Sequence, residues 1–66
     1  MSIILNGAPV DGAPTVAALV ERHLRRREPA GVAVAVNATV VPRDRWAGWP
    51  LRDGDVVDVV TAVQGG

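Results

Sequence analysis

Apolar and polar residues follow a helical period in one segment of the chain and a strand period elsewhere. The helical segment has one apolar stripe, formed by Val16, Leu19, Val20 and His23 or Leu24. Thr15 directly precedes it and is predicted to be the N-cap, because its hydroxyl can accept a hydrogen bond from a free backbone N–H. The sequence Glu28-Pro29-Ala30-Gly31 is expected to end the helix, since proline disfavours helical geometry in its predecessor.

A hairpin is predicted before this helix. Residues 1–5 are mostly apolar and are followed by Asn6-Gly7, a dipeptide typical of tight hairpin turns. A short second strand around residues 8–10 then returns toward Asp11-Gly12. Because Pro9 has no N–H to donate to a neighbouring strand, this second strand is expected at an edge of the sheet.

A second strand pair is predicted after the helix. Residues 32–36 are all apolar and β-branched at alternate positions, which favours a central strand buried largely on both faces. Asn37-Ala38-Thr39 is expected to form the turn to a short strand at residues 40–41. Residues 42–46 then resemble a single helical turn with proline at its first position.

The last strand is predicted over residues 56–63, after an Asp53-Gly54 turn. Asp58 marks its solvent face, so Val57 and Val59 should point inward by the two-residue period of a strand. The outer face then carries Val56, Val60 and Ala62 beside Asp58. If exposed, Val60 and Ala62 form a docking patch; the alternative is that a β-bulge or a covering loop buries them.

These elements predict an α+β fold with one main helix packed on one face of a mixed sheet of four to five strands. A short helical turn precedes the last strand. A chain of 66 residues is expected to form one domain with one small core. We assign the domain to residues 1–63 and a flexible tail to residues 64–66.

Composition excludes several classes of protein. The chain has seven basic and seven acidic residues, a balance that argues against general binding to nucleic acid or to membrane surfaces. All the basic residues are arginine, so no lysine can accept an acyl group. There is no cysteine for a disulfide or a thiolate site. The N-terminal segment lacks the features of a signal peptide, and no apolar run could span a membrane. We expect a cytoplasmic protein.

No combination of side chains predicts catalysis or a metal site. His23 is alone on the apolar stripe, and we expect a packed or half-exposed structural histidine. Trp46 and Trp49 are expected to cover the core, although a stacking platform for bases is an alternative. The basic cluster at the helix end is expected to complement the helix dipole rather than bind nucleic acid; it consists of Arg22, Arg25, Arg26 and Arg27.

The final dipeptide, Gly65-Gly66, follows the last apolar run directly, and no turn comes after it. We interpret its free carboxylate, on a tail without side chains, as the working group of the protein. The alternative is a frayed terminus, because chain ends are commonly disordered.

Several motifs together carry a resemblance that spans nearly the whole chain. They are Ile3, Asn6-Gly7, Thr15-Val16, Leu19-Val20, Val34-Ala35-Val36-Asn37, Val41-Pro42-Arg43, Trp46, Leu51, Gly54-Asp55 and Ala62-Val63-Gln64-Gly65-Gly66. On these residues the chain resembles the small sulfur carriers of thiamine thiazole biosynthesis, which have the β-grasp, or ubiquitin-like, fold. It departs from them at His23, where the family usually has an apolar residue, and in its more basic arginine cluster.

The resemblance implies a chemistry carried out with partners. An E1-like adenylyltransferase would use ATP to activate the carboxylate of Gly66, and a sulfur donor, a cysteine desulfurase or a related protein, would convert it to a thiocarboxylate. Thiazole synthase would then receive the sulfur. Gly65 and Gln64 would thread the partner active site, and the chain would be a monomer with no bound cofactor. The partner-binding residues would be Val60, Ala62, Val63 and Arg43, although for Arg43 a role in fixing the local turn is an equal alternative.

Three other functions remain open at this point. The same fold serves sulfur carriers for molybdopterin or for another sulfur-containing metabolite. A ubiquitin-like modifier would use the same activation but end in an amide with another protein's lysine. A passive interaction domain would make the glycines incidental. The Val-Pro-Arg-x-x-Trp segment at residues 41–46 favours the thiamine pathway.

Overall fold

The computed structural model of the protein describes residues 1–24 and 31–61. Five strands, one α-helix and one 3-10 helix account for most of them. In chain order they are β1 (Ser2–Leu5), β2 (Ala8–Asp11), α1 (Val16–Leu24), β3 (Val32–Val36), β4 (Thr39–Val41), the 3-10 helix (Arg43–Gly48) and β5 (Val56–Thr61).

The strands form one mixed sheet in the order β2-β1-β5-β3-β4. β1 and β5 are parallel, with Ile4 opposite Val56, and the other neighbouring strands are antiparallel. The predicted α+β class and mixed sheet are confirmed. The expectation that Pro9 lies in an edge strand is also confirmed, because β2 stands at one end of the order of the described strands.

The core lies between the sheet and α1 with the 3-10 helix. Its buried apolar residues are Ile3, Ala13, Val16, Leu19, Val20, Val34, Val36, Val41, Trp46, Leu51 and Val57. Trp46 covers this core as predicted, and its indole Nε1 donates a 2.9 Å hydrogen bond to the carbonyl of Val41. The buried indole therefore has a partner for its only donor. Trp49 is partly buried against the same cluster.

The helix begins as predicted. The backbone N–H of Ala18 donates to Oγ1 of Thr15 at 3.2 Å, so Thr15 is the N-cap.

The placement of His23 on the core stripe is wrong, because its side chain is exposed. In the last turn of α1 a polar imidazole gains more from water than from an apolar contact. The predicted helix end and three arginines of the basic cluster fall on residues 25–31, of which 25–30 lie outside the described residues.

The expectation that β3 is buried on both faces is wrong. Val34 and Val36 are buried, but Ala33 is exposed and Ala35 is only half-buried. The reason is that α1 and the 3-10 helix cover one face of the sheet. An uninterrupted apolar run therefore contains an inner and an outer face, as in any antiparallel sheet with one covered side.

Both hairpins turn within two residues. Backbone φ is positive at Asn6 (49°) and Gly7 (84°) in the first turn, and at Asn37 (49°) and Ala38 (69°) in the second. Two successive positive φ values are typical of type I′ turns, which match the twist of the strands that they join. The predicted three-residue second turn is one residue too long, because Thr39 already belongs to β4.

The helical turn predicted over residues 42–46 is present but longer. The 3-10 helix spans Arg43–Gly48, and Pro42 is its N-cap rather than its first residue.

Candidate functional site: the end of the central strand and the open sheet face

The predicted carrier tail follows the central strand of the sheet. β5 lies between β1 and β3, and its last residue, Thr61, is opposite Val32. The predicted site residues Ala62, Val63, Gln64, Gly65 and Gly66 lie outside the described residues. Their starting point follows a strand end that is paired with β3, whereas β1 pairs with β5 only at Val56 and Val57.

Asn6 extends the pairing of β1 with β5 beyond the end of β1. The backbone N–H of Asn6 donates to the carbonyl of Val57 at 2.9 Å, in the regular parallel ladder. Its side chain continues that ladder: Oδ1 accepts from the N–H of Val59 at 2.7 Å, and Nδ2 donates to the Val59 carbonyl at 3.1 Å. The amide of Asn6 thus occupies the place of a peptide group at the point where the chain turns away.

Asn37 makes a similar contact at the other end of β5. Its Oδ1 accepts from the N–H of Val56 at 3.0 Å, and its Nδ2 donates to Oδ1 of Asp55 at 3.1 Å. The backbone N–H of Asn37 also donates to the carbonyl of Val56 at 2.7 Å. The first residue of each hairpin turn therefore holds one end of the central strand.

The outer face of the sheet is open in the described residues. Val60 is 63% exposed and Val56 is 42% exposed, and Asp58 between them is also exposed. The predicted division of β5 into inner and outer faces is confirmed for these residues and for Val57 and Val59. No β-bulge or loop in the described part of the chain covers Val60.

Two further residues of this face were not predicted. Ala33 lies opposite Val60, and Val40, which lies opposite Ala35 on the edge strand, is 70% exposed. The signal was present in the sequence: the two-residue period of β3, counted from the buried Val34, places Ala33 and Ala35 outside. The open apolar face is therefore wider than the predicted docking patch.

Arg43 is exposed and starts the 3-10 helix. Val41 at the end of β4 is opposite Val34, which is itself opposite Val59 of β5. Because β3 is antiparallel to both β4 and β5, β4 and β5 run in the same direction. Arg43, which follows β4, therefore lies at the end of the sheet where β5 ends. Arg43 and Val60 thus lie toward the same end of the sheet, although the 3-10 helix that begins at Arg43 covers the opposite face.

A shallow cavity of about 470 Å³ lies at the opposite end of β5. Asn37 and Asp55 line it, and they hydrogen-bond to each other. In residues 1–24 and 31–61 no three His, Cys, Asp or Glu side chains are grouped as metal ligands would be. Neither described helix is long and apolar enough to span a membrane.

Comparison with known proteins identifies the family. The model of the ThiS family matches residues 3–66, nearly the full chain. The chain belongs to the ThiS family. The sulfur carrier protein ThiS of Escherichia coli strain K12 is 35% identical over 68 aligned residues, and the alignment covers 100% of both chains.

Solved structures of the ThiS type agree with this fold. A crystal structure of the thiamine biosynthesis protein ThiS from Geobacter metallireducens matches with a TM-score of 0.71 and 29% identity, covering 100% of both chains. An NMR solution structure of a thiamine biosynthesis protein from the same organism gives a TM-score of 0.76 and 31% identity, covering 100% of this chain and 88% of that one. The resemblance inferred from the motifs and the β-grasp fold that it implied are confirmed.

Proposed function

We propose that this chain is a sulfur carrier in the biosynthesis of the thiazole ring of thiamine. The observation that carries the proposal is the ThiS family match through residue 66, together with full mutual coverage with a sulfur carrier protein. In this function the chain is a co-substrate of partner enzymes and performs no catalysis itself.

The chemistry starts from the carboxylate of Gly66, which is a poor electrophile until it is activated. In the active site of an E1-like adenylyltransferase, a carboxylate oxygen attacks the α-phosphorus of ATP, and pyrophosphate leaves. The terminal sulfur of a persulfide on a donor, a cysteine desulfurase or a related protein, then attacks the acyl carbon, and AMP leaves. A thiol of a partner protein attacks the donor-side sulfur of the acyl disulfide so formed, the S–S bond breaks, and donor and partner are left joined by a disulfide while the carrier leaves with the transferred sulfur. The resulting thiocarboxylate is a soft nucleophile that passes its sulfur to thiazole synthase.

The two final glycines suit this exchange between active sites. Adenylation requires the carboxylate to lie within attack distance of a phosphorus atom inside a site that excludes water. Gly65 and Gly66 have no Cβ, so they can pass through a narrow channel and adopt whatever φ it requires. Gln64 lies directly before them and would enter the same channel.

The open sheet face is the proposed docking surface for these partners. Val60 is exposed and apolar at the end of β5, which makes it a suitable contact for an apolar partner surface. Ala62 and Val63 would continue this contact toward the tail. Arg43, exposed at the same end of the sheet, would contribute a charged contact at the rim.

The first experiment tests the steric role of the tail. We expect Gly65→Val to reduce ATP–pyrophosphate exchange with the adenylyltransferase by at least about 100-fold, since misplacing a reacting group by about 1 Å can have that effect. The midpoint of thermal unfolding should not change. Gly48→Val is a matched control, because a Cβ at Gly48 meets no atom within 4 Å. Normal exchange with the Gly65 variant would contradict the proposal.

The second experiment separates the sulfur carrier from the other functions. Protein purified from cells with sufficient sulfur should contain a fraction whose intact mass reflects one oxygen-to-sulfur exchange. That fraction should support thiazole formation with purified thiazole synthase, and a residue added after Gly66 should abolish both results. Covalent adducts with other proteins would instead indicate a modifier. An unchanged function after the addition would indicate a passive binding domain.

A further inference from the structure

The side chain of Asn6 replaces a peptide group at the tail end of β5. In a parallel ladder, the strand next to β5 would offer a carbonyl to the N–H of Val59 and an N–H to its carbonyl. β1 has already ended at Leu5, and the chain turns away at Gly7. The carboxamide supplies both groups, at 2.7 Å and 3.1 Å from the N and O atoms of Val59.

Few side chains could make this contact from this position. A carboxamide has an acceptor and a donor on adjacent atoms, as a peptide group has. The residue must also adopt φ of 49°, in the left-handed region, which asparagine tolerates better than glutamine and most other residues. Aspartate offers the same geometry but has no donor for the Val59 carbonyl when ionised.

We infer that Asn6 is a positioning residue for the carrier tail. It fixes the backbone of Val59, two residues before the last described residue of β5 and directly before the exposed Val60. It therefore holds the β1 side of β5 close to the point where the chain continues toward residues 62–66, while β3 pairs with Val60 and Thr61 on the other side. The inference rests on the proposed function, because positioning has a consequence only if the tail must reach a partner's active site.

Asn37 provides a natural comparison within the same molecule. It has the same φ of 49°, also begins a two-residue turn, and also uses both side-chain atoms. Its contacts are with Asp55 and Val56, at the start of β5. Loss of either side chain should affect folding to a similar degree, but only loss of Asn6 should free the β1 side of β5 near the end that carries the tail, leaving β3 to hold the other side.

The test compares Asn6→Gly with Asn37→Gly, since glycine keeps the positive φ without strain and removes only the side chain. Each variant is assayed with the adenylyltransferase by ATP–pyrophosphate exchange, well below its unfolding temperature. We expect kcat to fall about tenfold for Asn6→Gly with the KM for the carrier within about twofold, because attack geometry changes more than docking. Asn37→Gly should stay within about twofold of the unchanged protein in both constants.

Amide hydrogen exchange tests the physical contact without any partner. The N–H of Val59 should exchange at least about tenfold faster in Asn6→Gly than in Asn37→Gly, because only the former removes the acceptor of that N–H. If unsubstituted protein gave no pyrophosphate exchange with any adenylyltransferase of this type, the proposed function would be wrong. If it were active and Asn6→Gly kept full kcat, or if both variants lost kcat equally, the positioning inference would be overturned. Unchanged amide exchange at Val59 would also overturn it.

Discussion

The two faces of the sheet use the same residue type for different purposes. On the covered face, Val57 is 0% exposed and Val34 is 1% exposed, and both pack in the core. On the open face, Val56 is 42% exposed and Val60 is 63% exposed. Val56 and Val57 are adjacent in β5, so burial here depends on the side of the strand and not on hydrophobicity. The apolar residues of the open face are left available for contact with another protein.

The largest expected effect comes from shortening a valine on the covered face. Val57→Ala should lower the free energy of unfolding by about 2 kcal/mol, because it removes buried methyl groups and leaves a cavity. Val56→Ala, the matched change on the open face, should cost less than about 1 kcal/mol, which is the range of strand propensity. Urea unfolding followed by circular dichroism measures both values. Equal losses would show that the two faces do not differ as described.

The next effect concerns docking rather than stability. Val60→Gln should reduce kcat/KM for the carrier in the adenylation assay about tenfold, because a polar side chain would lose its hydration at an apolar contact. The free energy of unfolding should change by no more than about 0.5 kcal/mol, as at most exposed positions.

Val40→Gln is the control that measures how far the contact extends. Val40 is 70% exposed on the same face but belongs to the edge strand β4. If docking is confined to the neighbourhood of β5, this variant should stay within about twofold of the unchanged protein. A loss as large as that of Val60→Gln would instead mean that the partner covers the whole open face.

The smallest expected effect lies in a turn that belongs to neither face. Ala38 has φ of 69°, a region where alanine is strained and glycine is not. Ala38→Gly should therefore raise the free energy of unfolding by about 0.5 kcal/mol, after the greater entropy of glycine in the unfolded chain offsets part of the gain. Adenylation kinetics should not change.

Gly7→Ala tests the same physics in reverse, at the equivalent position of the first turn. Gly7 has φ of 84°, so the substitution should destabilise the protein by about 1 kcal/mol. A stabilising Gly7→Ala, or a destabilising Ala38→Gly, would contradict the assignment of left-handed backbone at these turns.

Local signals predicted most of the fold. Asn6-Gly7 predicted the first turn, Thr15 predicted the N-cap and Pro9 predicted the edge strand. Each of these features depends on the backbone preference or the hydrogen-bonding groups of the residue itself. The burial of β3 was wrongly predicted because all five of its residues are apolar, and the pattern alone cannot show that the described residues leave one sheet face uncovered. The burial of His23 was wrongly predicted, because helical spacing shows which residues share a helix face but not how far along the helix that face is covered.

The candidate site was predicted less completely, for a physical reason. The exposure of Val60 was predicted because residues two positions apart in a strand share a face, and Asp58 marks the solvent face. This prediction needs only neighbouring residues. The contact of Asn6 with Val59 joins residues 53 positions apart, and no pattern near Asn6 indicates its partner. Such pairings become visible only when the sheet order is known. The roles of Gly65 and Gly66 remain predictions, since they rest on the family and on chemistry.

The central position of β5 has a consequence for synthesis. The strand that joins β1 to β3 is the last one in the described part of the chain, so the two halves of the sheet cannot be united until residues 56–61 have left the ribosome. Pairings between distant segments also form late and cooperatively. A chain shortened before β5 therefore lacks the strand that joins the two halves of the sheet, and with it the residues on which the proposed function depends.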